Sequence, residues 1–101
     1  MKYTLYRSFG DLDRQVSKHT LIAVEYGSSI DAVTNALIQD VTDDLAESPE
    51  YAGCKTTAYA PEPVHCTRRV KRYQYEMMGK VIPPNAPKNI LLDYGITETA
   101  E

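Results

Sequence analysis

Residue types that usually reveal an enzyme or a metal site are scarce in this sequence. The 101 residues include no Trp, one Phe and two Cys, and the five glycines are scattered without a phosphate-binding run. Cys54, Cys66, His19 and His65 lack the Cys-x-x-Cys and His-x3-His spacings of zinc sites. No nucleophile elbow or other catalytic motif is present. We therefore expect no metal, no cofactor and no enzymatic activity.

Long apolar runs are missing as well. No stretch approaches the roughly 20 apolar residues that a membrane-spanning helix needs, and the start, MKYTLYRSFGD, has no apolar segment typical of a secretory signal. The sequence therefore predicts a cytoplasmic protein without membrane contact. Thiols stay reduced in that compartment, so Cys54 and Cys66 are expected to be free, although two cysteines are compatible with a disulfide.

Basic residues are absent from the middle of the chain. No Lys or Arg occurs between Lys18 and Lys55, and the formal net charge is −3. This balance disfavours nucleic-acid binding through the whole surface, although a local basic patch can still bind. A hydrophobic content of 43% and a charged content of 25% predict one folded domain over residues 1–101, with a frayed polar tail at 98–101.

One segment has a sustained helical period, and the rest of the chain is expected to pack around it. Apolar residues recur at steps of three and four from Ser28 to Glu47, which predicts a main helix over residues 28–47. Ser28 followed by Asp31 predicts a capping box, and Pro49 prevents continuation. The apolar stripe consists of Ile30, Val33, Leu37, Val41 and Leu45, flanked by Thr34 and Ile38.

The polar side of this helix is acidic in its C-terminal half. On a helical wheel Asp40, Asp43 and Glu47 share one flank with Asp44 nearby, and we call these four residues the acidic flank. The helix macrodipole disfavours each negative charge there by a few tenths to about 1 kcal/mol, so helix stability does not explain them. A solvated face is the simpler interpretation. The alternative is a docking surface for a basic partner.

Alternating apolar residues predict strands before and after the helix. Thr20 to Tyr26 is apolar on both faces and is expected at the centre of the sheet, and Gly79 is expected to mark a bulge or bend. The other predicted strands cover residues 2–7, 55–60, 68–80 and 89–97.

This order of elements predicts an α+β fold, with an antiparallel sheet of four to five strands packed on the one main helix. The periods also predict which side chains face the interior, because a helix buries one stripe and a strand buries alternate residues. The predicted core comprises Ile22, Val24, Ile30, Leu37, Val41, Tyr75, Leu92 and Ile96.

A basic run precedes two tyrosines in the second half of the chain. Cations beside aromatic rings on a sheet can bind a phosphate backbone and stack bases, so this run is the alternative site, for nucleic acid. Alternation along 68–80 places Tyr73 and Tyr75 together on the face opposite Arg72, where a place in the core is the simpler interpretation. The run itself consists of Arg68, Arg69, Lys71 and Arg72.

The segment RRVKRYQYEMMGKVIPPNAPKNILLDYGIT, residues 68–97, resembles the C-terminal half of short accessory proteins carried by phages and integrative elements of gut bacteria. That pool includes anti-CRISPR inhibitors. The resemblance lies in a strand, a proline-containing loop and a second strand, covers about a third of the chain and identifies no site residue. It implies an inhibitor that occludes a host component, and the acidic flank would then fit a basic nucleic-acid-binding groove.

The sequence thus favours a non-enzymatic protein-binding module that uses the acidic flank against a basic surface of a host or element-encoded protein. Two alternatives stay open, a nucleic-acid-binding accessory protein that uses the basic run and a small enzyme of unknown type. Patches of opposite sign on one small body also predict a monomer or a weak homodimer that dissociates as salt is raised.

Overall fold

The computed structural model describes residues 1–8, 19–64, 73–85 and 87–100. In these residues one α-helix packs on an antiparallel sheet, which confirms the predicted α+β class with a single main helix. The helix is α1 (Ile30–Glu47), and the strands are β1 (Lys2–Ser8), β2 (His19–Tyr26), β3 (Lys55–Ala58), β4 (Glu62–Pro63), β5 (Tyr75–Ile82) and β6 (Ile90–Thr99).

The sheet has the order β2-β1-β6-β5-β3, and the two-residue β4 also pairs with β5. All of these pairs are antiparallel. The sixth strand, beyond the expected four to five, is the short β4. β6 continues through Thr99, which pairs with Lys2, so the strand includes two residues of the segment expected to be a frayed tail.

The helix begins two residues later than predicted. Ser29 is the N-cap, because its backbone is extended and its hydroxyl accepts a hydrogen bond from the Ala32 N–H at 3.3 Å. The N-cap is thus one residue later than predicted, since two adjacent serines are equally competent caps in sequence. The predicted capping box of Ser28 and Asp31 is wrong, because the residue three positions after Ser29 is Ala32, which has no side-chain acceptor. The predicted end is confirmed at Glu47, where a 3-10 turn, Pro49–Tyr51, takes over.

The prediction that residues 20–26 lie at the centre of the sheet is wrong. β2 is an edge strand, and β1 lies between β2 and β6. The β1–β2 register shifts between Leu5, opposite Ala23, and Tyr6, opposite Leu21, which leaves Ile22 as an extra residue. This bulge breaks the alternation that had placed Ile22 and Val24 on one face. The apolar residues on both faces of β2 suggested strands on either side of it, whereas the outer side of β2 has no partner strand among the described residues.

The core lies between α1 and the face of the sheet that carries Tyr3 and Leu5. Of the predicted core residues, Leu37, Val41 and Ile96 are buried. Ile22, Ile30, Tyr75 and Leu92 are partly buried and pack against the core, whereas Val24 is half-buried and pairs with Thr4 outside it. The buried apolar residues are Tyr3, Leu5, Val33, Leu37, Val41, Leu45, Met77, Val81, Tyr94 and Ile96.

Gly79 lies where side chains of α1 pack closely on β5. The β5–β6 register is regular across Gly79, which pairs with Leu92, so of the two predicted alternatives the bulge is wrong. A Cβ added at Gly79 would lie 2.7 Å from Leu45 Cδ1 and 3.1 Å from Val41 Cγ1. Glycine is therefore favoured at this position, because a side chain would require the Leu45 and Val41 side chains to shift.

The lack of a long apolar run predicts that no helix spans a membrane. In the described part of the chain, no helix is both long enough and apolar enough to cross a bilayer.

Candidate functional site

The acidic flank forms one wall of an open cleft of about 370 Å³ between α1 and β2. The facing wall comes from residues 20–23 of β2. The structure thus brings the four predicted partner-binding residues, Asp40, Asp43, Asp44 and Glu47, to one cleft, and it adds a strand edge that the helical wheel did not reveal.

Asp44 differs from the other acids because its carboxylate is held inside the fold. Arg7 of β1 donates to Asp44 Oδ2 from Nη2 at 2.6 Å and from Nε at 2.9 Å. The Tyr94 hydroxyl of β6 donates to the same oxygen at 2.7 Å. Burial raises the pKa of Tyr94, and the hydrogen bond to Asp44 raises it further. Asp44 therefore joins the helix to two strands of the sheet.

Arg7 also supplies the positive charge that the end of the helix lacks. No basic residue lies in the last turn of α1, but Arg7 Nη2 donates to Ser48 Oγ at 2.8 Å and lies 3.5 Å from the Asp44 carbonyl oxygen. A cation at the C-terminal end of a helix is favourable. The contacts with Arg7 thus account for a negative charge at Asp44, one of the four acids whose position helix stability does not explain.

Asp43 and Glu47 are exposed to solvent. Gln39 Nε2 donates to Asp43 Oδ1 at 2.7 Å from one turn earlier in α1. Within the described ranges neither carboxylate takes part in an ion pair. Both charges are therefore available to a partner.

Asp40 pairs with another acid, Glu25 of β2, which the sequence analysis did not single out. Asp40 Oδ2 is buried and has no hydrogen-bond partner among the described residues, and Glu25 is the neighbouring acid that acts on its pKa. Burial raises the pKa of Asp40 to about 6, with further contributions from the charge and hydrogen bond of Glu25 and from the charge of Asp43. A proton held between the two carboxyl groups would relieve their repulsion. The sequence feature that could have indicated Glu25 is that it is the single acid in the apolar segment TLIAVEY.

The basic run Arg68, Arg69, Lys71 and Arg72 lies outside the described residues, so nucleic-acid binding through it stays a prediction. The two tyrosines after it do not share a face, contrary to the alternation. Tyr73 packs over Gly95, because a Cβ added at Gly95 would lie 2.5 Å from the Tyr73 ring. The ring centroids of Tyr73 and Tyr6 are 6.0 Å apart.

Tyr75 lies on the other side of the sheet, the side that faces the core. Its ring is 6.4 Å from that of the buried Tyr3, and its hydroxyl donates to Glu98 Oε2 at 3.4 Å. The core interpretation is thus confirmed for Tyr75, whereas Tyr73 packs across the sheet from it. The pair cannot form one continuous platform for stacked bases.

Residues that bind metals do not gather in the described ranges. No group of three or more His, Cys, Asp or Glu residues there is close enough to hold a metal ion. Cys54 has a free thiol, is half-buried and packs against the core. Cys66, His65 and the side chain of His19 lie outside the description.

A second cleft, of about 240 Å³, lies beside β4 and β5. It contains two exposed acids, Glu62 and Glu76, which are directly opposite each other in the β4–β5 register. Asp93 lines the same cleft, together with Tyr59. This cleft supplies acids of the same type, away from α1, for control experiments.

Comparison with known proteins gave no relative on which a function could be based. No protein-family model matches the chain, and neither a curated protein nor a solved structure is significantly similar to it.

Proposed function

We propose that this protein is a non-enzymatic binding module whose cleft between α1 and β2 receives a basic surface of a partner protein. The observation that carries the proposal is the open cleft with Asp43 and Glu47 exposed on its wall and Asp40 beside them. Among the described residues that line this cleft there is no Lys or Arg to neutralise them.

In this proposal Asp44 has a structural role, because Arg7 and Tyr94 already occupy its carboxylate. The docking surface then consists of the two exposed acids, Asp43 and Glu47, with the partly buried Asp40 beside them. Exposed ion pairs contribute only about 0–1 kcal/mol each, so these charges would steer the partner and select its sign, while most of the affinity must come from other contacts.

The resemblance of residues 68–97 to proteins of phages and integrative elements suggests the biological setting. A cytoplasmic inhibitor encoded on a mobile element would act by covering a basic functional surface of a host protein, such as a groove that binds nucleic acid. The acidic wall of the cleft supports this setting, because it presents the same sign of charge as the phosphates that such a groove binds.

The test is affinity capture from a lysate of the native host, with and without nuclease, using wild-type protein and two variants. Asp43→Lys/Glu47→Lys reverses the two exposed charges in the cleft. Glu62→Lys/Glu76→Lys makes the same change in net charge at the second cleft and serves as the control.

We expect a protein that is captured by wild type and control, is lost with the cleft variant and persists after nuclease treatment. Recovery of nucleic acid alone would refute the proposal, as would proteins captured equally by all three forms. Circular dichroism of each variant before the capture establishes that the fold is intact.

A further inference from the structure

The outer edge of β2 borders the acidic cleft and has no partner strand among the described residues. β2 ends the strand order, so only its inner side pairs, with β1. The Gly27 N–H donates to the Met1 carbonyl at 3.2 Å, and antiparallel pairs alternate between bonded and non-bonded positions. The backbone N–H and C=O groups of Val24 and Tyr26 therefore point away from β1, toward the open side.

The two faces of this edge differ in chemistry. On the face toward α1, Asp40, Asp43 and Glu47 stand beside residues 20–23 of the strand. The other face carries Tyr26, which is 64% exposed, and Leu21 is 58% exposed at the same edge. Edge strands of folded proteins are usually blocked by charge, proline, a β-bulge or a covering segment, because an open edge pairs readily with another chain. In β2 the bulge lies at Ile22, and the stretch from Ala23 to Tyr26 stays regular.

We infer that the outer edge of β2 binds an extended segment of the partner in which Lys or Arg alternates with apolar residues, and that this segment joins the sheet as an additional strand. The inference rests on the proposed function and specifies the chemistry and the binding mode of its partner. Strand addition provides backbone hydrogen bonds for affinity, and alternate side chains provide specificity.

The spacing of a sheet accounts for the alternating pattern. Neighbouring strands lie about 4.8 Å apart, and successive side chains of a strand point to opposite faces. Cationic side chains of the added strand would point toward α1 and meet Asp43 and Glu47, while the residues between them would cover Tyr26. β2 has eight residues, so a segment of about eight residues would span it, with regular pairing along Ala23 to Tyr26, beyond the bulge at Ile22.

A second copy of this chain fits the same edge poorly. Symmetric antiparallel pairing of two β2 strands would place both α1 helices on the same face of the joined sheet. The acidic flank of each copy would then face that of the other, with Asp43 and Glu47 on both sides. Like charges at such an interface are unfavourable, whereas a basic segment removes the repulsion.

The probe for the test is a synthetic eight-residue peptide that alternates lysine with valine, capped at both ends and carrying a fluorophore. Three further peptides serve for comparison: glutamate in place of lysine, the same amino acids in a non-alternating order, and the original sequence N-methylated at alternate residues. Fluorescence anisotropy with the full chain gives the affinity of each peptide. Amide hydrogen exchange reports protection at Val24 and Tyr26.

We expect the alternating lysine peptide to bind most tightly and to protect the Val24 and Tyr26 amides. N-methylation removes backbone donors of the peptide, and each lost hydrogen bond corresponds to roughly fivefold in affinity. Loss of the two bonds to the Val24 and Tyr26 carbonyls should therefore weaken binding about 25-fold. Tyr26→Ser should weaken it several-fold, whereas Tyr59→Ser, at a tyrosine 52% exposed elsewhere on the surface, should leave it unchanged.

The outcomes separate this inference from the proposed function. Equal affinity for the methylated and unmethylated peptides, with loss of both in Asp43→Lys/Glu47→Lys, would overturn strand addition and leave acidic docking intact. Affinity that is unchanged in that variant would count against the charge-based function itself. No binding of any peptide would refute the inferred ligand class. A salt-resistant dimer that protects the same amides would assign the edge to a second copy.

Discussion

Arg7 of β1 and Asp44 of α1 form an ion pair that joins the C-terminal end of the helix to the sheet, with Arg7 Nη2 2.6 Å from Asp44 Oδ2. The two side chains are only 14% and 20% exposed, and Tyr94 donates to the same carboxylate oxygen. One acid of the acidic flank thus stabilises the fold, while Asp43 and Glu47 beside it remain exposed to solvent.

Replacing Asp44 should destabilise the protein more than replacing its exposed neighbour. Asp44→Asn leaves Arg7 and Tyr94 without a charged acceptor in a largely buried position, so we expect a loss of about 2 kcal/mol in the free energy of unfolding. Glu47→Gln should change it by less than about 0.5 kcal/mol. Denaturant titration of both variants checks this, and equal losses would contradict the structural role of Asp44.

The centre of the helix interface is predicted to be sensitive to truncation. Leu37 is 0% exposed, so Leu37→Ala should cost about 2–5 kcal/mol through lost burial and an unfilled cavity. Asn35→Ala, at an exposed position of the same helix, is the control and should be close to neutral. A loss under about 1 kcal/mol for Leu37→Ala would mean that this face of α1 is not in the core.

Gly79→Ala tests the close approach of α1 to β5. The new methyl group would meet Leu45 and Val41, and overpacking of this kind costs about 1–3 kcal/mol. Leu45→Val makes room on the helix, so the double variant should be less destabilised than the sum of the two single variants. Thermal and urea unfolding of the set gives the coupling, and strict additivity would show that the two positions do not touch.

The carboxyl pair of Asp40 and Glu25 should make stability depend on pH. The pKa of Asp40 is raised to about 6 by burial and by Glu25, from an ordinary value of about 3.9. An acid with a raised pKa stabilises the fold where it is protonated. This contribution is present below about pH 4 and is lost as the pH rises through about 6.

Glu25→Gln should therefore lose less stability than wild type between pH 4.5 and 7.5, because it removes the facing charge and offers Asp40 a neutral amide donor. Glu50→Gln, at an exposed position after the helix, should keep the wild-type dependence. Urea unfolding at the two pH values measures both. An unchanged pH dependence in Glu25→Gln would show that the pair does not share a proton.

Local pattern was enough to predict the helix and most of the strands. The three- and four-residue steps from Ile30 to Leu45 predicted a helix that ends at Glu47, and alternation predicted β1, β2 and β6 close to their observed bounds. Both periods are properties of neighbouring residues, so they can be recognised without knowing what the element packs against. The acidic flank was recognisable for the same reason.

Pairing between distant residues could not be predicted in this way. Nothing near Asp44 in the sequence indicates Arg7, which is 37 residues away, and nothing near Asp40 indicates Glu25. The edge position of β2 and the preference for glycine at residue 79 also depend on which elements become neighbours. Periodicity specifies which face of an element is apolar, but strand order and helix placement follow from packing all faces together, so only the tertiary structure divided the acids into structural and exposed groups.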